Sequence, residues 1–496
     1  MIEKSDYELK LLAIIILGGL TVYLTLAYQR FSFYEKFIFL GLGACILLLG
    51  LASIWVCFSK TAKESYKRLE KIKELPVSLY QKDAASILLG HDLDLKTNIF
   101  LPDYIRSRHI HVIGATGSGK TESVILHFLK QDVAREFGAI ILDAKGDATF
   151  LNALKTWVRS DNLKIFDLGD SKSFPYNPLS AGTPLESAQR LFSSFIWSET
   201  YYASKARSVL QILFQAHYAR KGHNPTLKNL AKYLSTPEDY SGMAGAPGYP
   251  VKLALQDYME ISGLKDQINS LCSGHLADIL SSESEEQIDL TKSSQGQVVY
   301  FRLQSLMSPQ IVSTLGKLIV NNLSFIAGTA HRDGKSGRFT PVYLDEFASF
   351  ACPEFADLIS KARSAGFALH FSHQSIGDLV EVSKGFLNRI TDNSATKIIL
   401  RINDPDSAEF FAHSFGTRIY QKVTQKVINA KEIDAAEVQG DGTIREAHQF
   451  RASPDLFKGH PTGVGSVLVA HGSDTPHGAS SVFKIKFPKL NEGENI

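Results

Sequence analysis

The sequence predicts an α/β protein: a doubly wound parallel sheet, an inserted all-α domain, and an N-terminal two-helix transmembrane hairpin. Three observations carry this. Short apolar strands alternate with helical patterns on both sides of a long helical stretch. A glycine-rich octet, Gly114 to Thr121, stands between a strand and a helix. Two uninterrupted apolar runs open the chain.

At 496 residues, 44% hydrophobic and 21% charged, the composition is that of a globular protein with room for more than one module. A net charge of +2 excludes attraction of nucleic acid by a strongly basic bulk field, so any such contact must come from a local patch. Cys45, Cys57, Cys272 and Cys352 share no metal-ligand spacing. They imply neither a zinc site nor a disulfide framework, which fits a reducing compartment.

The apolar runs are Leu11 to Tyr28 and Phe37 to Phe58. Each is about long enough to cross a hydrocarbon core of roughly 30 Å as a helix. The link 29–36 is too short for a sizeable domain between the spans. After the second span come Lys60, Lys63, Lys67, Arg68, Lys71 and Lys73, against Arg30 and Lys36 in the link. That excess places both termini in the cytoplasm. Residues 59–90 then read as a cytoplasmic linker whose lysines suit a solvated helix or anionic head groups equally well.

His109 to Ile113 reads as a buried strand, followed by Gly114, Ala115, Thr116, Gly117, Ser118, Gly119, Lys120 and Thr121, then a helix from Glu122 to Val133. The glycines turn backbone N–H groups inward around phosphate oxygens. Lys120 is expected to reach the β- and γ-phosphates of ATP, and Thr121 to ligate Mg²⁺. The helix N-terminus favours the anion. Strand Gly138 to Leu142 ends in Asp143 and Asp147, which face the crevice or simply form a turn. Strand Pro341 to Leu344 ends in Asp345, expected to hold Mg²⁺, and Glu346, placed to activate water. Helix Pro353 to Ala365 carries Lys361 and Arg363. The next strand ends at Ser372-His373-Gln374, where Gln374 suits sensing of the γ-phosphate and His373 is more readily structural. A further strand (396–402), a helix (406–415) and two final segments, 466–470 and 481–487, complete the pattern, the last two expected as edge strands. Residues 91–182 and 293–490 thus form a RecA-like domain, and 183–292 the all-α insertion.

Several of these motifs, in order, resemble the type IV coupling proteins of bacterial conjugation and type IV secretion. These are TraD/TraG-type P-loop ATPases of the wider FtsK/HerA group. The resemblance rests on the two spans, GATGSGKT, DAKGD, YNPL before the insertion, YLDEF, KARSAG and the HQS strand end, and covers nearly the whole chain. It implies a hexameric ring at the bacterial inner membrane that pumps DNA by ATP hydrolysis, taking a relaxase-bound single strand to a secretion channel. By position it implies catalytic roles for Lys120, Glu346, Gln374 and Arg363. It also implies that Arg108 reaches a neighbour's nucleotide. The chain lacks the long acidic tail through which some members bind relaxase, which shifts that role towards the insertion. Lys205 and Arg207 are candidate pore contacts. Two alternatives are a receptor for secreted protein effectors and an FtsK/HerA-type DNA translocase.

Overall fold

The computed structural model describes residues 80–244, 251–284, 286–334, 337–428, 437–471 and 480–488, within one compact unit, Val77–Ile496. The expected transmembrane hairpin and the linker up to residue 79 lie outside the described residues.

The strands are β1 (Ser86–Asp92), β2 (Thr97–Pro102), β3 (Ile110–Ile113), β4 (Ala139–Asp143), β5 (Leu163–Asp167), β6 (Val298–Arg302), β7 (Thr340–Asp345), β8 (Phe367–His373), β9 (Thr396–Ile399), β10 (Thr417–Ile428), β11 (Glu437–Phe450), β12 (Val464–Ala470) and β13 (Ser480–Lys486). Eleven form one sheet in the order β2-β1-β13-β12-β9-β3-β8-β7-β4-β6-β5, while β10 and β11 form a second, two-stranded sheet. From β9 to β5 the strands run parallel. Strands β3, β4, β7 and β8 are buried along their whole length, as apolar strands covered on both faces must be. From β9 outwards the pairing turns antiparallel, so the sheet is mixed rather than wholly parallel.

The expectation that the two C-terminal strands form an edge fails. β12 is hydrogen-bonded to β9 and β13, and β13 also to β1, so the edges are β2 and β5. The cause is the hairpin β1–β2, which covers the side of β13 that would otherwise be open. β1 starts inside the segment assigned to a linker. Tyr80, just before it, is already buried, edge-on to Phe483 at 4.9 Å.

The stretch after β5 is helical as expected, from Pro184–Ser194 to Leu276–Ile279. Thr183 opens it with a reciprocal cap: Glu186 N–H donates to its hydroxyl, and its own N–H donates to the Glu186 carboxylate. Yet its described residues share their core with the sheet. Leu210, Leu213, Phe214 and Ile268 belong to the same buried cluster as Ile140, Leu142 and Phe301 of the sheet.

Among the described residues one helix, Pro309–Arg332, is long and apolar enough to cross a membrane. It buries Leu315, Leu318, Ile319 and Leu323 in the core, which accounts for its composition. At Gly316 the turn after β7 comes so close that a Cβ would lie 2.5 Å from that of Phe350. Gly316→Ala should therefore lower Tm. Overpacking costs about 1–3 kcal/mol, which outweighs the about 1 kcal/mol of helix propensity gained.

Candidate nucleotide site

β3 delivers the chain into the loop Gly114–Gly119 at the carboxyl end of the parallel strands. The loop is anchored on three sides. Gly114 N–H donates to His373 O at 3.3 Å and Ala115 N–H to Arg401 O at 2.7 Å. From the loop before β12, Gly463 N–H donates to Ser118 O at 3.0 Å and the Thr462 hydroxyl to Gly117 O at 3.2 Å. Two glycines are demanded by geometry: Gly117 and Gly119 have φ of +73° and +101°, and a Cβ on Gly119 would also meet Ser123 Oγ at 2.9 Å. The helix after the loop opens with a π-turn, Lys120–Ile125, before α-helical Leu126–Ala134. Lys120 is buried, and its ammonium donates to Gly114 O at 2.7 Å. Burial lowers its pKa, against the pull of the Glu346 and Asp345 carboxylates.

The structure brings Thr121, Asp345, Glu346 and Gln374 to this loop. Thr121 Oγ1 donates to Asp345 Oδ2 at 2.7 Å, and Ser372 Oγ to Asp345 Oδ1 at 2.5 Å. Glu346 has φ of +53°, a left-handed conformation that costs a non-glycine residue about 1–3 kcal/mol. Its N–H is held there by Asp345 Oδ1 at 3.2 Å and Ser372 Oγ at 3.3 Å. Gln374 bridges the two motifs: its Oε1 accepts from Thr116 Oγ1 at 3.1 Å, and its Nε2 donates to the Glu346 carboxylate.

These residues fit ATP and Mg²⁺. A hydroxyl and a buried carboxylate already touch, as a shared cation requires. Among the described residues no three His, Cys, Asp or Glu cluster for a metal.

Other candidates go elsewhere. Asp143 accepts the N–H groups of Lys145, Gly146 and Asp147 at 2.9, 2.8 and 3.1 Å and the Tyr300 hydroxyl at 2.7 Å, so it shapes its own turn. Asp147 caps the helix Ala148–Trp157. His373 is fully buried, its Nε2 2.6 Å from His111 Nε2. Arg108 and the exposed Arg363 lie at the opposite ends of β3 and β8 from the loop. The four residues of β3 alone span on the order of 13 Å. Neither arginine is brought to the phosphate loop of its own chain. Lys205 is ion-paired with Asp257 at 2.9 Å and Glu260 at 3.4 Å, and the exposed Arg207 lies over the Phe192 ring at 4.4 Å. Sequence reasoning missed Ser372, whose only signal was its place beside Gln374, and Thr462, which had none.

Two family models match. Residues 96–244 match one described as the type IV secretion-system coupling protein DNA-binding domain, and residues 340–448 one described as the TraM recognition site of TraD and TraG. The chain is 28% identical over 165 residues to the type 4 coupling protein DotL of Legionella pneumophila. That match covers 30% of this chain and 21% of DotL, about a fifth of the relative's length. Among solved structures, the bacterial conjugative coupling protein TrwBdeltaN70 superposes with a TM-score of 0.62 at 16% identity, over 83% of this chain and 90% of its own. TrwB has also been solved with ADP and Mg²⁺, with a TM-score of 0.61 at 15% identity over 84% and 92%. VirB4 of Thermoanaerobacter pseudethanolicus follows at 0.52 and 16% identity, over 82% and 97%. The fold is that of a TrwB-like P-loop NTPase with a large mixed sheet, and the chain belongs to the type IV coupling proteins.

Proposed function

We propose that the chain is an inner-membrane ATPase that couples a relaxase-bound DNA strand to a type IV secretion channel and drives it by ATP hydrolysis. The observation that carries this is the Gln374 bridge between Thr116 and Glu346, beside the Thr121–Asp345 contact. It ties the phosphate loop, the metal-binding acid and the acid that can take a proton from water into one connected site. Bound Mg²⁺ would supply charge neutralisation for the phosphates, with Thr121 and Asp345 as its protein ligands. Lys120 holds the phosphates, Glu346 orients and deprotonates the attacking water, and Gln374 reports the γ-phosphate to Glu346. In a homo-hexameric ring Arg108 and Arg363, at the amino ends of β3 and β8 and away from their own phosphate loop, would act on a neighbour's nucleotide. The inserted domain 183–292, the transmembrane hairpin and both cytoplasmic termini complete this reading. Plasmid transfer by a strain carrying only Lys120→Ala should fall by at least about a thousandfold, since positioning and charge on the phosphates supply most of the catalysis. Normal transfer would refute the motor role.

A receptor for secreted proteins is the second reading. One observation favours it: the helical region exposes Ile196, Tyr201, Tyr202 and Met259, while Lys205 beside them is tied up in ion pairs. Because the helical region shares its core with the sheet, the test belongs on the full chain. Met259→Glu should abolish capture of relaxase or effector in the absence of DNA, and unchanged capture would refute this reading.

A further inference from the structure

We propose that His111, His373 and Asp378 form a positioning relay, buried at its histidine end, that holds Gln374 in its bridge between the two nucleotide-binding motifs. The inference rests on the ATPase reading above and deepens it by naming what sets the geometry of its sensor.

His373 Nδ1 faces two acceptors, Ser375 O at 2.8 Å and Asp378 Oδ2 at 3.4 Å, so Nδ1 carries a proton. In a neutral ring Nε2 is then a lone pair. It lies 2.6 Å from His111 Nε2, which must therefore donate. This leaves His111 Nδ1 as a bare acceptor, and that atom is indeed buried without a hydrogen-bond partner. An orphan acceptor is the cheaper outcome, since buried N–H groups are almost never left unpaired. Both rings are wholly buried, and Phe371 stacks on His111 at 4.8 Å.

Asp378 carries the relay to the sensor. Its Oδ2 accepts Gln374 N–H at 2.9 Å and Ser375 N–H at 3.0 Å, and its Oδ1 the Ser375 hydroxyl at 3.2 Å. The backbone of Gln374 is thus fixed from one side while its amide spans Thr116 and Glu346 on the other. His111 stands three residues before Gly114 on β3, and His373 immediately before Gln374 on β8. The imidazole bond therefore ties the strand that bears the phosphate loop to the strand that bears the sensor. Apolar side chains would fill that space at no cost in desolvation. A hydrogen-bonded chain, complete but for His111 Nδ1, instead defines one geometry where placement within about 0.5 Å matters.

The test uses the full chain with His373→Phe and His373→Asn. His373→Phe should lower kcat for ATP by about tenfold to a hundredfold while the ATP Kd moves less than about twofold. His373→Asn keeps a donor near the Nδ1 position and should recover most of that loss. Asp378→Asn, at the surface end, should give the same kcat-only loss should His373→Phe fail to fold. An unchanged kcat in folded His373→Phe or Asp378→Asn, with only Tm reduced, would overturn the proposal. So would a His373→Asn chain as slow as His373→Phe. Hydrogen exchange of the Gln374 and Ser375 amides, read without nucleotide, separates this from the ATPase reading. Exchange should quicken in both His373→Phe and Asp378→Asn, and unchanged exchange would overturn the relay even where turnover was lost. A wild-type chain with no turnover would refute the ATPase reading and with it the relay's role in catalysis.

Discussion

Glu346→Gln should bind ATP normally and hydrolyse it about a hundredfold to ten-thousandfold more slowly, the range that a positioned general base contributes. The substitution leaves the loop, Lys120 and the Thr121–Asp345 contact untouched, so affinity has no reason to change. It also preserves size in a place where size matters, since the residue sits in a left-handed turn with φ of +53° that the Asp345 and Ser372 side chains hold by its N–H. What it removes is the ability to take a proton. Gln374, which donates to the Glu346 carboxylate, would meet an amide instead. Single-turnover hydrolysis alongside equilibrium binding checks this. Equal losses in both would mean that Glu346 helps to hold the nucleotide rather than to activate water.

Asp132→Ala should destabilise the chain by about 3–5 kcal/mol, the cost of leaving a buried charge without its partner. Arg106 is fully buried between the end of the helix Leu126–Ala134, β7 and β8. Both its terminal nitrogens donate to Asp132, at 2.8 and 2.6 Å, and Tyr343 donates to the same carboxylate at 2.5 Å. Burial opposes the charge on Arg106, but the Asp132 carboxylate outweighs it and raises the guanidinium pKa above its ordinary value. With Asp132 gone, Asp103 at 2.8 Å is the one carboxylate left on Arg106 among the described residues. Thermal denaturation should show Tm lower by several degrees, whereas replacing both Arg106 and Asp132 by leucine should cost much less. A single variant as stable as the wild type would show that Asp103 and water satisfy Arg106 alone.

The nucleotide motifs were legible because each is contiguous. Gly114 to Thr121 and Asp345–Glu346 declare themselves through glycine spacing and strand-end carboxylates, and Gln374 through its place at the end of a strand. Contacts between distant segments were not legible. Arg106 and Asp132 are 26 residues apart, and His111 and His373 are 262 apart, so neither partner predicts the other. Sheet order escaped for the same reason, since nothing near β13 announces that β1 will pair with it. One signal was available. Val464–Ala470 is a nearly continuous run of apolar and small residues, buried almost throughout, which is the mark of an interior strand rather than an edge. The position of Arg108 and Arg363 before their strands likewise already put them at the opposite strand ends from the phosphate loop. The long hairpin β10–β11 was missed because its polar, charge-rich strands lack a clean two-residue alternation.

The most direct measurement is the ATP hydrolysis rate of the whole chain with and without single-stranded DNA. We expect a rate that DNA raises severalfold and that Lys120→Ala abolishes in both conditions. A rate indifferent to DNA would contradict the motor, and hydrolysis that survives in Lys120→Ala would contradict the site itself.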